Sequence, residues 1–517
     1  MPVGAKTCAL IALLASSEDF SRSRAWLQDM LWSDRGRPQR AASLRQALAE
    51  LRRTWAQWPG LIDGDRTRIA LDPERVQVVA PEGEGAFTFL EDLAVRDPAF
   101  TAWLGLQRLH RNKIAAPLHA PVAATGIAAA ASPTRDVVIL CESDQDPEAS
   151  LIENAFQDML SQSLKEMVDV VLRSPRLQKF GPNSFLVCLR VLKPGGSTGT
   201  LRVAIEDSRD GTVVWNGRTD LPPQPADPTQ DLALHAMCSK AVEAVSNALA
   251  QVRRPEDSTD QQALSSLLSS AVRNIFSIQA DLVAKAVSQL RDALALREHG
   301  LIHAWLAQAY TIQYVERYVA PDADLRDRTE EACRKALSLA SSNSNVLAAV
   351  ANARTNIDRN YEAGLRLSEL SIKANPANPL AWWAYSNAQQ CTGRSLPAFQ
   401  AAQTAQKLAD GTRFQFWADF QVSLTAAVLG RQDMAISTGE LSSALSPDFR
   451  PPLRYLTALY ALEGRHDAMS RTVERLQRCE PDFSLYRMME DGEYPIGIMR
   501  RYGTRLTRAL RSASDTF

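Results

Sequence analysis

The chain has 517 residues, a length that suggests about three domains. It is 45% hydrophobic and 23% charged, an ordinary globular composition, and 58 Lys+Arg against 59 Asp+Glu leave a net charge of −1. That total excludes a chain that is basic throughout but not a basic patch on one domain. The cysteines number 7 and are scattered without C-x-x-C spacing, a pattern that favours neither a disulfide scaffold nor a zinc ribbon.

At the N-terminus, Ala5–Ala15 reads as a helix rather than a signal peptide, because no small-x-small cleavage site follows it. A second helix is predicted over Ser21–Trp32 with Ser21 as N-cap, and a third over Pro38–Trp58, ended by Pro59-Gly60. In the third helix Ala41, Leu44, Leu48, Leu51 and Trp55 step by three and four and form one apolar stripe. Gln39, Ala42, Gln46, Glu50 and Arg53 fall on the opposite face, with Arg45 and Arg52 beside the stripe. Asp63-Gly64 signals a hairpin in which Arg66 and Arg68 share a face. Three helices and a basic hairpin form the pattern of a winged helix. A helix fits the major groove, where Arg and Gln read base edges, and wing arginines neutralise phosphate. Residues 1–58 carry nine basic and five acidic residues, so the excess is local. A solvated Arg-rich face explains the same pattern, and both readings stay open on pattern alone.

Ser23-Arg-Ala-Trp-Leu-Gln-Asp-Met-Leu-Trp32, followed by Arg40-Ala-Ala-Ser-Leu-Arg-Gln-Ala-Leu-Ala-Glu-Leu-Arg-Arg53, resembles the DNA-binding region of SARP-type bacterial regulators, whose winged helix is OmpR-like. The likeness continues through the wing, Leu61–Val79, to Phe89–Leu93, Arg96–Phe100 and Trp103-Leu104. The resemblance implies a transcription regulator that contacts double-stranded promoter DNA. Arg37, Gln39, Arg40, Ser43, Arg45, Gln46, Arg52 and Arg53 would lie at the recognition helix, and Arg66 and Arg68 on the wing. Members of the family carry a β-sheet before the first helix. Met1 stands only a few residues ahead of that helix here, so the expected winged helix lacks most of its N-terminal sheet.

Residues 81–134 read as a helical segment running into an Ala/Pro linker, too broken by Pro117, Pro121 and Gly126 to cross a membrane. Residues 135–254 alternate strand and helix patterns. Strands are predicted at Asp136–Cys141, Val168–Leu172, Ser184–Leu192, Thr200–Glu206 and Thr212–Asn216, and helices at Pro147–Met167 and about Gln230–Val252. The first strand with its Asp-Pro-Glu helix start, and the strand pair ending Asp210-Gly-Thr-Val-Val-Trp-Asn216, resemble the α/β domain of TolB-like proteins, which implies a binding or packing module without a catalytic centre. Gly195, Gly196 and Gly199 follow Lys193 and precede a strand, so they form a hairpin loop and not a phosphate loop. Cys141 and Cys188 sit in apolar strands and read as core thiols.

From residue 258 to 517 the pattern is helical. Repeat-ending positions 376, 410, 447 and 481 are 34, 37 and 34 apart, which resembles the tetratricopeptide (TPR) period. A longer insertion around Tyr314–Asp327 interrupts the copies, and Ala398 and Ala405 let paired helices approach closely. Such an array presents a concave groove for a protein or peptide. Trp305, Trp383 and Trp417 are its candidate lining, with inter-helix core as the equal alternative. Arg500–Arg511 reads as a capping helix in preference to a basic surface.

His299 and His303 are four apart, yet no Glu or Cys joins them as a metal ligand, and no nucleophile elbow, Walker A loop or dinucleotide fingerprint is present. The expectation is a multidomain, mainly α, cytoplasmic protein that is not an enzyme and needs no cofactor. The family likeness implies a DNA-binding regulator whose α/β and repeat regions serve oligomerisation, signal sensing or contact with RNA polymerase. The alternative is a TPR scaffold that acts on proteins without binding DNA.

Overall fold

The structure is a computed structural model. It describes residues 4–76 except 18, 19, 34, 59, 73 and 74; single positions between 90 and 104; residues 136–250 except 143–145, 169, 171, 174–183, 193–198 and 222–227; and residues 260–514 except 320, 321 and 493. The chain divides into two compact units, Met1–Gly126 and Ile127–Phe517. The Ala/Pro stretch and most of the glycine loop lie outside the described residues.

In the first unit three helices, α1 (Ala5–Ala15), α2 (Arg24–Leu31) and α3 (Arg37–Thr54), pack Leu10, Leu13, Leu14, Leu27, Leu44 and Leu51 into one core. A three-stranded antiparallel sheet completes it, with β1 (Ser21–Ser23), β2 (Ile62–Asp63) and β3 (Arg68–Leu71) in the order β1-β3-β2. Two expectations need correction here. Ser21–Ser23 is not the start of a helix. It pairs with β3, Ser21 opposite Ala70 and Ser23 opposite Arg68, and three residues are too few for strand alternation to show in sequence. Ser23 rather than Ser21 is therefore the N-cap, its hydroxyl accepting from the Trp26 amide at 3.2 Å. Helix α3 also stops at Thr54 and not Trp58, because Ala56 and Trp58 donate to Arg53 and Trp55 in tighter turns. Val95, Phe100 and Leu104 from the following segment join this core. Asp97 accepts from both the amide and the hydroxyl of Ser33 at 2.8 Å.

The second unit opens on a five-stranded sheet of β4 (Asp136–Cys141), β5 (Leu172–Arg173), β6 (Ser184–Leu192), β7 (Thr200–Asp207) and β8 (Val213–Asp220), in the order β5-β4-β6-β7-β8. The β5-β4-β6 pairs are parallel and the rest antiparallel. The strand expected at Val168–Leu172 shrinks to Leu172–Arg173, because helix Pro147–Val168 keeps Val168 in the core. The last strand runs on to Asp220 and is followed by helix Leu232–Ala250. Burial pushes the Cys188 thiol up to about 11 and Cys238 to about 12, so both are held as thiols.

Antiparallel helical hairpins follow as a solenoid. Helices Gly300–Val315, Ser344–Asn356, Pro379–Cys391, Gln415–Val428 and Arg450–Leu462 are the first members of successive pairs. The expected repeat ends at 376, 410, 447 and 481 fall just after helices ending at Ala374, Ala409, Leu445 and Cys479. The predicted insertion is shorter than expected, since the helices on either side reach Val315 and resume at Ala323, capped by Asp322. Side-chain caps recur where the polar pattern calls for them, as at Asn343 and Asn378. Helix Thr504–Ser514 buries Leu506 and Leu510 against the last hairpin, as a cap would. The sheet module and the array share one hydrophobic core. Trp305 donates from Nε1 to the Met167 carbonyl at 3.1 Å across their boundary, and Asn375 donates to Glu166 at 3.0 Å.

Candidate functional site

Two surfaces, one in each unit, concentrate exposed functional groups. The first is the outer side of α3. Leu44, Leu48 and Leu51 face the core, which leaves Gln39, Arg45, Gln46, Arg52 and Arg53 exposed. Arg45, Arg52 and Arg66 make no ion pair with any described residue, so their guanidinium groups face solvent. Guanidinium groups in this state suit phosphate oxygens and base edges.

Arg40 is not part of this surface. It is 2% exposed and pairs with Asp29 at 2.5 Å. The spacing explains the correction: positions 40, 44, 47 and 51 follow the helical repeat, so Arg40 lies on the inward stripe with Leu44, Ala47 and Leu51. Ser43 is half-buried and its hydroxyl is engaged, donating to the Gln39 carbonyl and accepting from Arg35, both at 2.8 Å. The side chain of Arg37 lies outside the described residues. On the hairpin Arg66 is exposed, whereas Arg68 donates to the Ser21 hydroxyl at 2.6 Å and so fastens β3 to β1. Just before them Asp65 accepts from the amides of Arg68 and Thr67 and from the Thr67 hydroxyl, bonds that hold its carboxyl down at about 2. The turn thus has a fixed shape and a fixed negative charge.

The second surface is the concave side of the array. Its inner helices enclose a cavity of about 850 Å3, within the size range of ligand pockets. Trp383 and Trp417 lie side by side on its wall, ring centroids 4.7 Å apart, and Phe420, Phe449 and Tyr455 continue that wall. Trp305 does not belong to it. It is 0% exposed, and its indole is committed to the Met167 carbonyl in the shared core.

Polar groups missed by sequence reasoning complete the cavity. Arg317, Arg326, Arg359, Arg454 and Arg500 line it, and among the described residues Glu316 is the one carboxylate in the lining. They come from separate hairpins and loops, so no local spacing announces them. Arg450 lies 3.4 Å from Glu316, and Arg454 donates to Glu480 at 2.9 Å through Nε. Tyr494 donates to the other Glu480 oxygen at 2.6 Å. Burial pushes the Glu316 carboxyl upward, against the pull of Arg454 and Arg450. Among the described residues two buried donors in the lining meet no acceptor: Nε1 of Trp417 and Nη1 of Arg454.

Among the described residues no group of three His, Cys, Asp or Glu side chains is placed to hold a metal ion. His299 caps a helix by accepting from the Leu301 amide, and His303 lies 2.9 Å from Glu298. No described helix is long and apolar enough to cross a membrane. No family model matches the chain, and no curated protein matches it. Among solved structures it is similar to one described as the crystal structure of YrrB, a TPR protein with an unusual peptide-binding site. That similarity has 17% identity and a TM-score of 0.25, and covers 40% of this chain and 95% of that one.

Proposed function

We propose that the chain is a bacterial DNA-binding transcription regulator. Its N-terminal unit contacts promoter DNA, and its helical array receives a protein partner in the concave groove. The observation that carries the reading is α3, which turns Arg45, Gln46, Arg52 and Arg53 to solvent on a rigid core. The element order α1-β1-α2-α3-β2-β3 with sheet order β1-β3-β2 supports a winged helix, in which α3 enters the major groove and Arg66 approaches the backbone. The likeness to SARP-type regulators agrees with this order.

The five-stranded mixed sheet is compatible with a TolB-like module, to which we assign packing and no catalysis. The helix period supports TPR repeats, whose concave side is a protein-binding surface. RNA polymerase and a second copy of the chain are candidate partners, and the proposed compartment is the cytoplasm.

Fluorescence anisotropy with labelled duplex DNA from the region upstream of its own coding sequence tests the reading. Binding should weaken with salt and fall about tenfold or more in Arg45→Ala/Arg52→Ala. Absence of binding at low salt would overturn it. The cavity favours one second reading, a scaffold that works through the groove alone. That reading predicts partner capture by the full chain that is unchanged in the same double variant.

A further inference from the structure

We infer that the five-stranded sheet docks an amphipathic helix of a partner protein on its outer face. The helix runs along β6 and β7, with its acidic first turn over Arg202 and Arg218. This surface is separate from the outer side of α3 and from the groove of the array.

The two helices packed on the sheet, Pro147–Val168 and Leu232–Ala250, share a core with Val137, Ile139, Val187, Leu189, Val203 and Ile205. On β8 a Cβ at Gly217 would stand 3.0 Å from the Met237 sulfur, so that residue faces the same helices. Side chains alternate along a strand, and the even-numbered residues therefore look away from both helices. Register arranges them in rows across the sheet. Leu140, Cys188, Ala204 and Asn216 form one row, and Arg190, Arg202 and Arg218 form the next.

The first row and its neighbours give an apolar centre. Leu140, Leu186 and Cys188 are half-buried around Val138 and Ala204. None of these residues is aromatic, so the centre suits the apolar stripe of a helix and offers nucleic-acid bases no stacking platform.

The second row is charged in register. Like charges directly opposite one another on adjacent strands destabilise a sheet. Arg190 has Glu142 at 4.0 Å, and Asp220, beyond Arg218, accepts from the Thr200 hydroxyl at 3.2 Å. Arg202 and Arg218 are exposed and make no ion pair with any described residue. Carboxylates laid over these two relieve the repulsion.

Dimensions and polarity select the occupant. Strands lie about 4.8 Å apart, so the arginine row is about 10 Å wide, the diameter of an α-helix. Glu206 stands four residues along β7 from Arg202 on the same face, about 13 Å away. That distance matches about nine residues of helix. Helices favour Asp and Glu in the first turn and Lys and Arg in the last. A helix with its N-terminus at the arginines thus meets complementary charge at both ends. A nucleic-acid strand would set phosphate against Glu206.

The test uses the full chain and a fluorescein-labelled, stapled helical peptide. Glutamates fill its first turn, leucine and alanine form one stripe, and lysine fills the last turn. Matched peptides carry glutamine or lysine in the first turn. The glutamate peptide should bind, weaken as salt rises and outbind the glutamine peptide by about tenfold. Arg202→Gln/Arg218→Gln should remove that preference with melting unchanged. Arg202→Glu/Arg218→Glu should reverse it, so that the lysine peptide binds better than the glutamate peptide. Leu186→Ser should weaken the glutamate and glutamine peptides alike, severalfold. No binding, or binding that these variants leave unchanged, overturns the proposal. An oligothymidylate should fail to displace the bound peptide; complete displacement would assign the face to polyanions at large and overturn it. A dimer of the chain that Arg202→Glu/Arg218→Glu dissociates would give the face to a second copy and overturn it equally.

Discussion

Arg413 and Glu243 are 170 positions apart in the chain, yet Nε of one lies 2.7 Å from Oε2 of the other. Glu243 belongs to helix Leu232–Ala250 of the sheet module and Arg413 to the turn before helix Gln415–Val428. Both side chains are nearly buried, and Arg413 also donates to Asn247 at 2.8 Å. Removing one partner strands a buried charge, a change that costs about 3–5 kcal/mol. Glu243→Ala should therefore lower the urea midpoint of the second unit sharply. Glu243→Ala/Arg413→Met should recover much of the loss. If the double variant is no more stable than the single one, the pair is not the main clamp between sheet and array.

On α3, inward and outward arginines should separate cleanly. Arg40→Ala removes the ion pair with Asp29 and opens the core. It should destabilise the first unit by about 2–4 kcal/mol and lower its melting temperature. Arg45→Ala and Arg52→Ala should leave melting unchanged and each reduce the salt slope of DNA binding by about one. The reverse assignment of effects would refute the orientation of the helix.

Asp419 gives the array a pH dependence. It is 1% exposed, and burial pushes its carboxyl up to about 7, although Gln406 donates to Oδ1 at 2.7 Å. A raised folded value means that the native state holds the proton more tightly than the unfolded chain does. Stability from this group is complete below the ordinary carboxylate value and declines as pH rises through about 7. Asp419→Asn should remove that decline and make the protein more stable above pH 7 by on the order of a few kcal/mol. Urea midpoints across pH would show it, and parallel profiles for the two proteins would count against it.

Close packing of successive hairpins should be unforgiving at Gly300. A Cβ there would stand 2.6 Å from the Ala340 methyl and 3.0 Å from the Ala336 carbonyl oxygen. Neither is the end of a flexible chain, so Gly300→Val should cost about 1–3 kcal/mol or more by overpacking. Equilibrium unfolding measures it, and an unchanged midpoint would mean that the two helices can move apart freely.

What could be read in advance follows the range of the forces involved. Helix periodicity and capping residues are local, so α1, α3 and the repeat ends were legible within a few residues. The strand Ser21–Ser23 was not, because it exists only through pairing with Arg68–Ala70. For Trp383 and Trp417 groove and core were equal readings, and both line the cavity while packing into the core, whereas Trp305, of the same chemistry, points at the sheet module. Arg40 was legible in principle, since its helical spacing matches Leu44 and Leu51. The arginines of the cavity were not, because their convergence is set by how the array curves.

A row of helical hairpins whose members touch only their neighbours is a soft spring. Here Glu316, at the turn after an early helix, reaches ion-pair distance of Arg450 and Arg454 in the last inner helix. The clasp joins distant coils of the spring, so the width of the mouth is set before any guest arrives. Little ordering entropy then remains to be lost on binding, which favours affinity.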